Sequence, residues 1–122
     1  MKYSFSSEWT EKTHDLIERL GFKHIPLERV CCIKSSGTKT RRTIARIHGL
    51  DKVMQLGMQT NAFYVIELIA EKFDGQNEEE KIKTIIHELL HVPNSFGGGF
   101  RHHNPFVNEK IVEKHYAMLT KK

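Results

Sequence analysis

The chain has 122 residues, of which 39% are hydrophobic and 28% are charged, and its formal net charge is +4. This composition excludes an intrinsically disordered chain, and the length predicts a single domain spanning residues 1–122. No apolar run approaches the roughly 18 residues that cross a bilayer, so we expect no membrane association. The mildly basic charge permits contact with nucleic acid but does not require it.

The two cysteines, Cys31 and Cys32, are adjacent in the sequence. Neighbouring residues on a strand point to opposite faces, which disfavours a disulfide between them. The first fifteen residues also lack the apolar segment of a signal peptide. We therefore expect a cytoplasmic protein whose two thiols stay reduced.

The N-terminal region predicts one amphipathic helix over residues 7–20. Ser6 or Ser7 can cap its first turn, and Gly21 is placed to end it. The helix should pack one apolar face, which includes Leu16, against the rest of the domain.

Strands are predicted in the middle of the chain. Residues 28–34 and 40–48 are expected to pair as a hairpin, and 62–69 is the strongest strand by its β-branched and aromatic content. Residues 50–58 fit a helix or a strand equally well.

Two helices are predicted in the C-terminal third. The first begins at Asn77 as its N-cap and must end shortly before Pro93, and a flexible glycine-rich loop follows at 94–100. The second opens with Asn104 as its N-cap and runs to about residue 119. The element order predicts an α+β domain with an N-terminal helix, a small mixed β-sheet and two C-terminal helices.

The first of these helices carries an HExxH motif at residues 87–91. His87 and His91 are four residues apart and project from one helix face, so they can bind one metal ion. On a helical wheel they lie opposite the apolar residues of the same helix. Glu88 is placed to take a proton from a water molecule beside the metal.

A catalytic zinc ion usually has three protein ligands, and the third is open. His102 and His103 follow the glycine-rich loop, which can fold back on the motif. Glu113 on the last helix is another candidate. The remaining histidines are interpreted as ordinary surface residues; they are His14, His24, His48 and His115.

Residues 85–93, IIHELLHVP, and 95–103, SFGGGFRHH, resemble a family of small archaeal and phage zinc metallopeptidases. Members carry the sequence HELLHIP, a glycine loop and a histidine shortly before the last helix. The resemblance covers about residues 25–116 and implies a minimal zincin-like fold, a Zn²⁺ cofactor and a peptide or protein substrate. It favours His103 as the third ligand. His102 would instead match the spacing to Phe106 of the more distant SprT-like proteases.

The predicted function is a zinc metallopeptidase with His87, His91 and His103 as ligands and Glu88 as general base. If residues 63–69 form the sheet edge, a peptide substrate can add to it as a strand. One alternative is a non-catalytic zinc-binding domain. Another is a DNA-associated regulator that uses a basic hairpin formed by Lys39, Arg41, Arg42 and Arg46.

Overall fold

A computed structural model describes residues 1–120 of the chain. It has α+β architecture, as predicted, with a four-stranded mixed sheet and helices packed on one of its faces. The strands are β1 (Lys2–Phe5), β2 (Val30–Ser36), β3 (Ala45–Gly49) and β4 (Tyr64–Ile69). The helices are α1 (Ser7–Leu20), α2 (Lys52–Met58), α3 (Ala70–Phe73), α4 (Glu78–Leu90), α5 (His103–Phe106) and α6 (Glu109–Thr120).

Helix α1 confirms the first predicted element. The Ser6 side chain accepts a hydrogen bond from the backbone of Trp9, and Gly21 ends the helix with a φ of 71°. β1, which precedes α1, was not predicted; its sequence KYSF alternates polar and aromatic residues, but over only four positions, and all four residues are exposed.

The strand order is β1-β2-β4-β3, so the predicted hairpin is wrong. β4 lies between β2, to which it is parallel, and β3, to which it is antiparallel. Five of its six residues are buried, which explains why its sequence, YVIELI, is apolar except at Glu67. The basic residues at 39–42 therefore lie in a loop that passes over the end of β4 rather than in a hairpin.

The core forms between the sheet and helices α1 and α4. A smaller apolar cluster joins α4 to α6 and fixes α6 across the motif-bearing helix. The buried members of that second cluster are Leu20, Ile86, Leu90, Val107 and Val112. Among residues 1–120, no helix has the length and apolar content to cross a membrane.

The last helix starts later than predicted. Val107 has extended backbone angles (φ −128°, ψ 107°) and interrupts the helix expected from Asn104. Asn104 is also extended (φ −107°, ψ 127°), as a residue before proline and an N-cap residue both tend to be, so its own conformation does not exclude a helix start. α6 instead begins at Glu109, where the Asn108 side chain accepts a hydrogen bond from the backbone of Ile111 at 3.0 Å.

Candidate metal centre

Helix α4 fixes the first two histidines of the centre. It begins with a capping box in which Asn77 and Glu80 each accept a hydrogen bond from the other's backbone. Its apolar face, which includes Ile85 and Leu89, is buried in the core. The helix ends at Leu90, as Pro93 requires, and leaves the two motif histidines beside a cleft.

Three imidazoles converge in this cleft. One ligand atom from each of His87, His91 and His103 lies within 4.8 Å of the others. The ring centroids are 4.5 Å apart for His91 and His103, 5.1 Å for His87 and His91, and 5.4 Å for His87 and His103. Two nitrogens bound to one ion at the ordinary Zn–N distance of about 2.0–2.1 Å are at most about 4.2 Å apart, so the three imidazoles lie near the spacing that one ion needs.

Two hydrogen bonds join His91 to Arg101 and bring the third histidine into place. The Arg101 backbone N–H donates to the His91 carbonyl at 2.7 Å, and His91 Nδ1 donates to the Arg101 carbonyl at 2.8 Å. Because a carbonyl only accepts, Nδ1 carries the proton and Nε2 keeps its lone pair for a metal.

The glycine loop is anchored, contrary to the prediction of a flexible segment. The Tyr64 hydroxyl, on β4, accepts from the Gly98 N–H at 2.9 Å and donates to the Gly99 carbonyl at 2.7 Å. Gln55 on α2 donates to the Gly97 carbonyl at 2.9 Å. A side chain at Gly98 is excluded, because its Cβ would lie 2.3 Å from the Leu50 carbonyl oxygen.

The other two candidate ligands, His102 and Glu113, do not join the three-histidine group. His102 is exposed and lies outside the three-histidine group, although it lines the same cleft. The Glu113 carboxylate is paired with the Lys83 ammonium at 2.8 Å and also lies outside that group. The geometry therefore assembles His103 with the motif histidines rather than either alternative.

Two histidines of the centre, His87 and His91, favour the neutral form. Burial lowers the pKa of His87 to about 4, and the charges of His91 and His103 add to the shift. Burial also lowers the pKa of His91. A neutral imidazole is the form that binds metal, so these two ligands are ready to bind at neutral pH.

Glu88 lies beside the histidines but is enclosed. Its side chain is 9% exposed, and its Oε2 atom is 4.0 Å from His87 Nε2. Burial raises the pKa of its carboxyl to about 8. A carboxylate with a raised pKa is a stronger base than an exposed one, which suits proton transfer.

The cleft, of about 1040 Å³, runs between α4, α6 and β3. Hydrogen bonds at the ends of the β3–β4 pair, from Ile69 to Ile44 and from Leu50 to Phe63, fix the register. Bonding alternates along antiparallel strands, so Ala45 and Ile47 direct their N–H and carbonyl groups away from β4. In residues 1–120 the sheet edge nearest the centre is thus β3, and β4, proposed above as the edge, is internal.

Sequence reasoning missed long-range contacts made by histidines outside the centre. His24, interpreted as a surface residue, is half-buried and its Nε2 donates to the Val92 carbonyl at 3.2 Å, next to His91. His14 and His48 are also engaged, with the Val30 carbonyl and the Glu67 carboxylate. No local pattern marks these contacts, because each joins residues distant in sequence.

The family comparison agrees with this geometry. Residues 1–120 match the model of a family described as putative phage metallopeptidase. The chain belongs to this family. Membership in the phage metallopeptidase family indicates a metal-dependent peptidase that acts on peptides or proteins. No curated protein and no solved structure matches the chain.

Proposed function

We propose that the chain is a zinc-dependent peptidase in which His87, His91 and His103 hold the metal and Glu88 is the general base. The supporting observation is the convergence of three imidazole nitrogens within 4.8 Å beside a buried carboxylate. This arrangement lies in a cleft open to a free sheet edge.

The donor set fits zinc. Three neutral nitrogen ligands are typical of catalytic zinc sites, whereas closed structural sites usually have four ligands and are rich in cysteine. Cys31 and Cys32 lie on β2, outside the histidine group. When bound, zinc would act as a Lewis acid and make a neighbouring water molecule a better nucleophile.

Glu88 moves the proton in this proposal. Its carboxylate accepts a proton from the attacking water and then gives it to the nitrogen of the departing amine. A cation held by the neighbouring histidines favours the ionised carboxylate that this role needs, against the burial that raises its pKa.

The substrate pairs with β3 as an added strand. Ala45 and Ile47 supply outward-facing backbone groups, and both residues line the cleft. A bound peptide carrying a photoreactive group should therefore label β3. Labelling confined to β1, at the opposite edge of the sheet, would contradict this orientation.

Two substitutions test the reaction and the ligand set separately. Glu88→Gln should reduce peptide hydrolysis by at least about 100-fold while keeping bound zinc, because it removes the base but no ligand. His103→Ala should lose zinc, and the matched control His102→Ala should keep it. Zinc content by elemental analysis and cleavage of an unfolded protein measure these outcomes.

Other results would contradict the proposal. An inactive wild-type chain with stoichiometric zinc would indicate a structural metal site instead. Full zinc retention by both His102→Ala and His103→Ala would make Glu113 the leading third ligand.

We also propose that residues 1–122 form one metallopeptidase-like domain that works in the cytoplasm. The two thiols are free, and burial raises the pKa of Cys32 to about 12, which leaves that thiol unreactive. Contact with nucleic acid stays a prediction, and the hairpin on which it was based is absent from the described part of the chain.

A further inference from the structure

Helix α2 exposes apolar side chains and turns a polar side chain inward, the reverse of a typical surface helix. Its inward-facing residue is Gln55, whose amide donates to the Leu50 carbonyl at 2.7 Å and to the Gly97 carbonyl at 2.9 Å. Val53 and Leu56 point outward and are 79% and 81% exposed. Met54 and Met58, on the flanks, are 48% and 58% exposed.

Surface helices normally bury their apolar stripe and expose polar residues. Single exposed apolar side chains are common, but four on one seven-residue helix form a patch, and such patches mark binding sites. We call Val53, Met54, Leu56 and Met58 the α2 patch.

Three neighbouring depressions, which share lining residues, lead from the cleft of the metal centre to the α2 patch. Phe100 lines both the cleft and a second groove along the glycine loop, and Lys52 lines that groove. Lys52 also borders a third depression together with Leu56, a member of the patch. A chain leaving the cleft at Phe100 can therefore follow the surface to α2.

Strand β3 also leads from the cleft toward α2. It runs from Ala45, beside the cleft, to Gly49, and Asp51 then caps α2. An extended polypeptide paired with β3 and continuing past Gly49 arrives at α2.

We propose that the α2 patch is an exosite that binds an apolar segment of the same polypeptide whose backbone occupies β3. This inference rests on the proposed function, and it names the substrate class. The substrates are unfolded or extended protein segments with apolar side chains several residues from the scissile bond, rather than short peptides.

The α2 patch suits this occupant better than a second copy or a membrane. Four side chains are few beside the 20–30 residues per partner, burying roughly 800 Å², that a stable protein interface uses. The sequence of α2, KVMQLGM, contains one lysine, whereas membrane-surface helices have a strongly charged polar face.

Peptide binding to the zinc-loaded Glu88→Gln chain tests the proposal without catalysis. The probes are two fluorescein-labelled peptides of about 24 residues that share a central segment. One has leucine and valine at alternate positions in both flanks, and the other has serine and glycine there. Fluorescence anisotropy gives the dissociation constants.

The variant is Val53→Gln with Leu56→Gln, which removes apolar surface without reducing helix propensity appreciably. The matched control is Tyr3→Gln, because Tyr3 is 63% exposed and lies on β1 at the far edge of the sheet. We expect the double variant to bind the apolar-flanked peptide about tenfold more weakly and the control to bind it normally. The serine- and glycine-flanked peptide should bind all three chains equally.

Equal affinity of the double variant and its parent for the apolar-flanked peptide would overturn the proposal. So would an equal loss in Tyr3→Gln, which would show general adhesion to apolar surface. A dimer in sedimentation that the double variant abolishes, with peptide affinity unchanged, would assign the patch to self-association instead.

The failure of this inference is distinguishable from that of the proposed function. If peptide affinity depends on the α2 patch but the zinc-loaded wild-type chain cleaves nothing, the exosite stands and the peptidase proposal fails. If the wild-type chain cleaves both peptides with the same kcat/KM, the peptidase stands and the exosite fails.

Discussion

Glu67 lies in the centre of the sheet, and its carboxylate is nearly enclosed. Ser35 donates to one oxygen at 2.6 Å, and His48 donates to the other at 2.7 Å, so the carboxylate joins strands β2, β4 and β3. Burial alone would raise its pKa, but these hydrogen bonds and the charges of His48 and Arg46 outweigh burial and hold the pKa below its usual value. A buried charge is thus kept ionised by partners that also align the strands.

Stability should therefore fall on acidification in a way that depends on Glu67. Because the folded pKa is lower than the unfolded one, the contribution of Glu67 is fully present above the unfolded pKa, about 4.3, and is lost as the pH falls through the folded value. Urea unfolding of the wild type and of Glu67→Gln, from pH 7 to pH 3, measures it. The free energy of unfolding of the variant should depend less on pH across that window.

An exposed carboxylate supplies the control for this titration. Glu11 lies on the solvent side of α1, and Glu11→Gln should leave the pH dependence as it is in the wild type. The same slope in Glu67→Gln and in the wild type would show that the network around Glu67 contributes nothing below pH 5.

Between elements, the decisive contact is that of the glycine loop with the turn joining β3 to α2. Gly98 has a φ of 102°, and its missing side chain lets the loop approach the Leu50 carbonyl. Gly49, on the opposite side of this contact, would bring a Cβ to 2.6 Å from the Gly98 carbonyl oxygen. The loop that carries the third histidine is therefore seated directly on the edge strand.

Gly98→Ala should lower the free energy of unfolding by about 2 kcal/mol or more, because the backbone is in a region that disfavours alanine and a carbonyl blocks the new methyl group. It should also weaken zinc binding, since the loop that presents His103 must shift. Gly57→Ala is the matched control, because its Cβ would meet no atom within 4 Å and it lies inside α2. We expect it to stabilise the chain by up to about 1 kcal/mol.

Denaturant titrations and competition with a metal-sensitive dye measure the two effects in the same pair of variants. Unchanged zinc affinity in Gly98→Ala would show that the loop positions His103 independently of its contact with Leu50.

For the whole molecule, local signals predicted the helices better than the sheet. The caps of α1 and α4 and the i, i+4 histidines are encoded within a few residues, and the structure contains them. Strand order depends on pairing between distant segments. No local pattern in residues 37–44 therefore indicates that this segment crosses the end of β4 to reach its far side. The break before α6 lies at the extended Val107, which the helix-start signal at Asn104 and Pro105 does not reveal.

In the candidate site, too, local features were predicted and contacts between distant residues were not. Spacing alone placed His87 and His91 together, whereas the choice of His103 over His102 depended on a family resemblance. In the structure that choice is set by the backbone bonds of Arg101, by Tyr64 and by the packing of Gly98, all of them contacts across the fold. A histidine count cannot anticipate them.

The paired hydrogen bonds between His91 and Arg101 determine at which step the entropy cost of closing the loop between them is incurred. They join residues ten positions apart, and closing a free loop of this length costs about 2 kcal/mol. Hydrogen bonds within the chain close this loop. The entropy cost is therefore incurred when the chain folds and not when it binds the metal ion. A chelator should therefore remove the metal ion without loosening the loop. An ion that binds again should meet the His103 imidazole already in position.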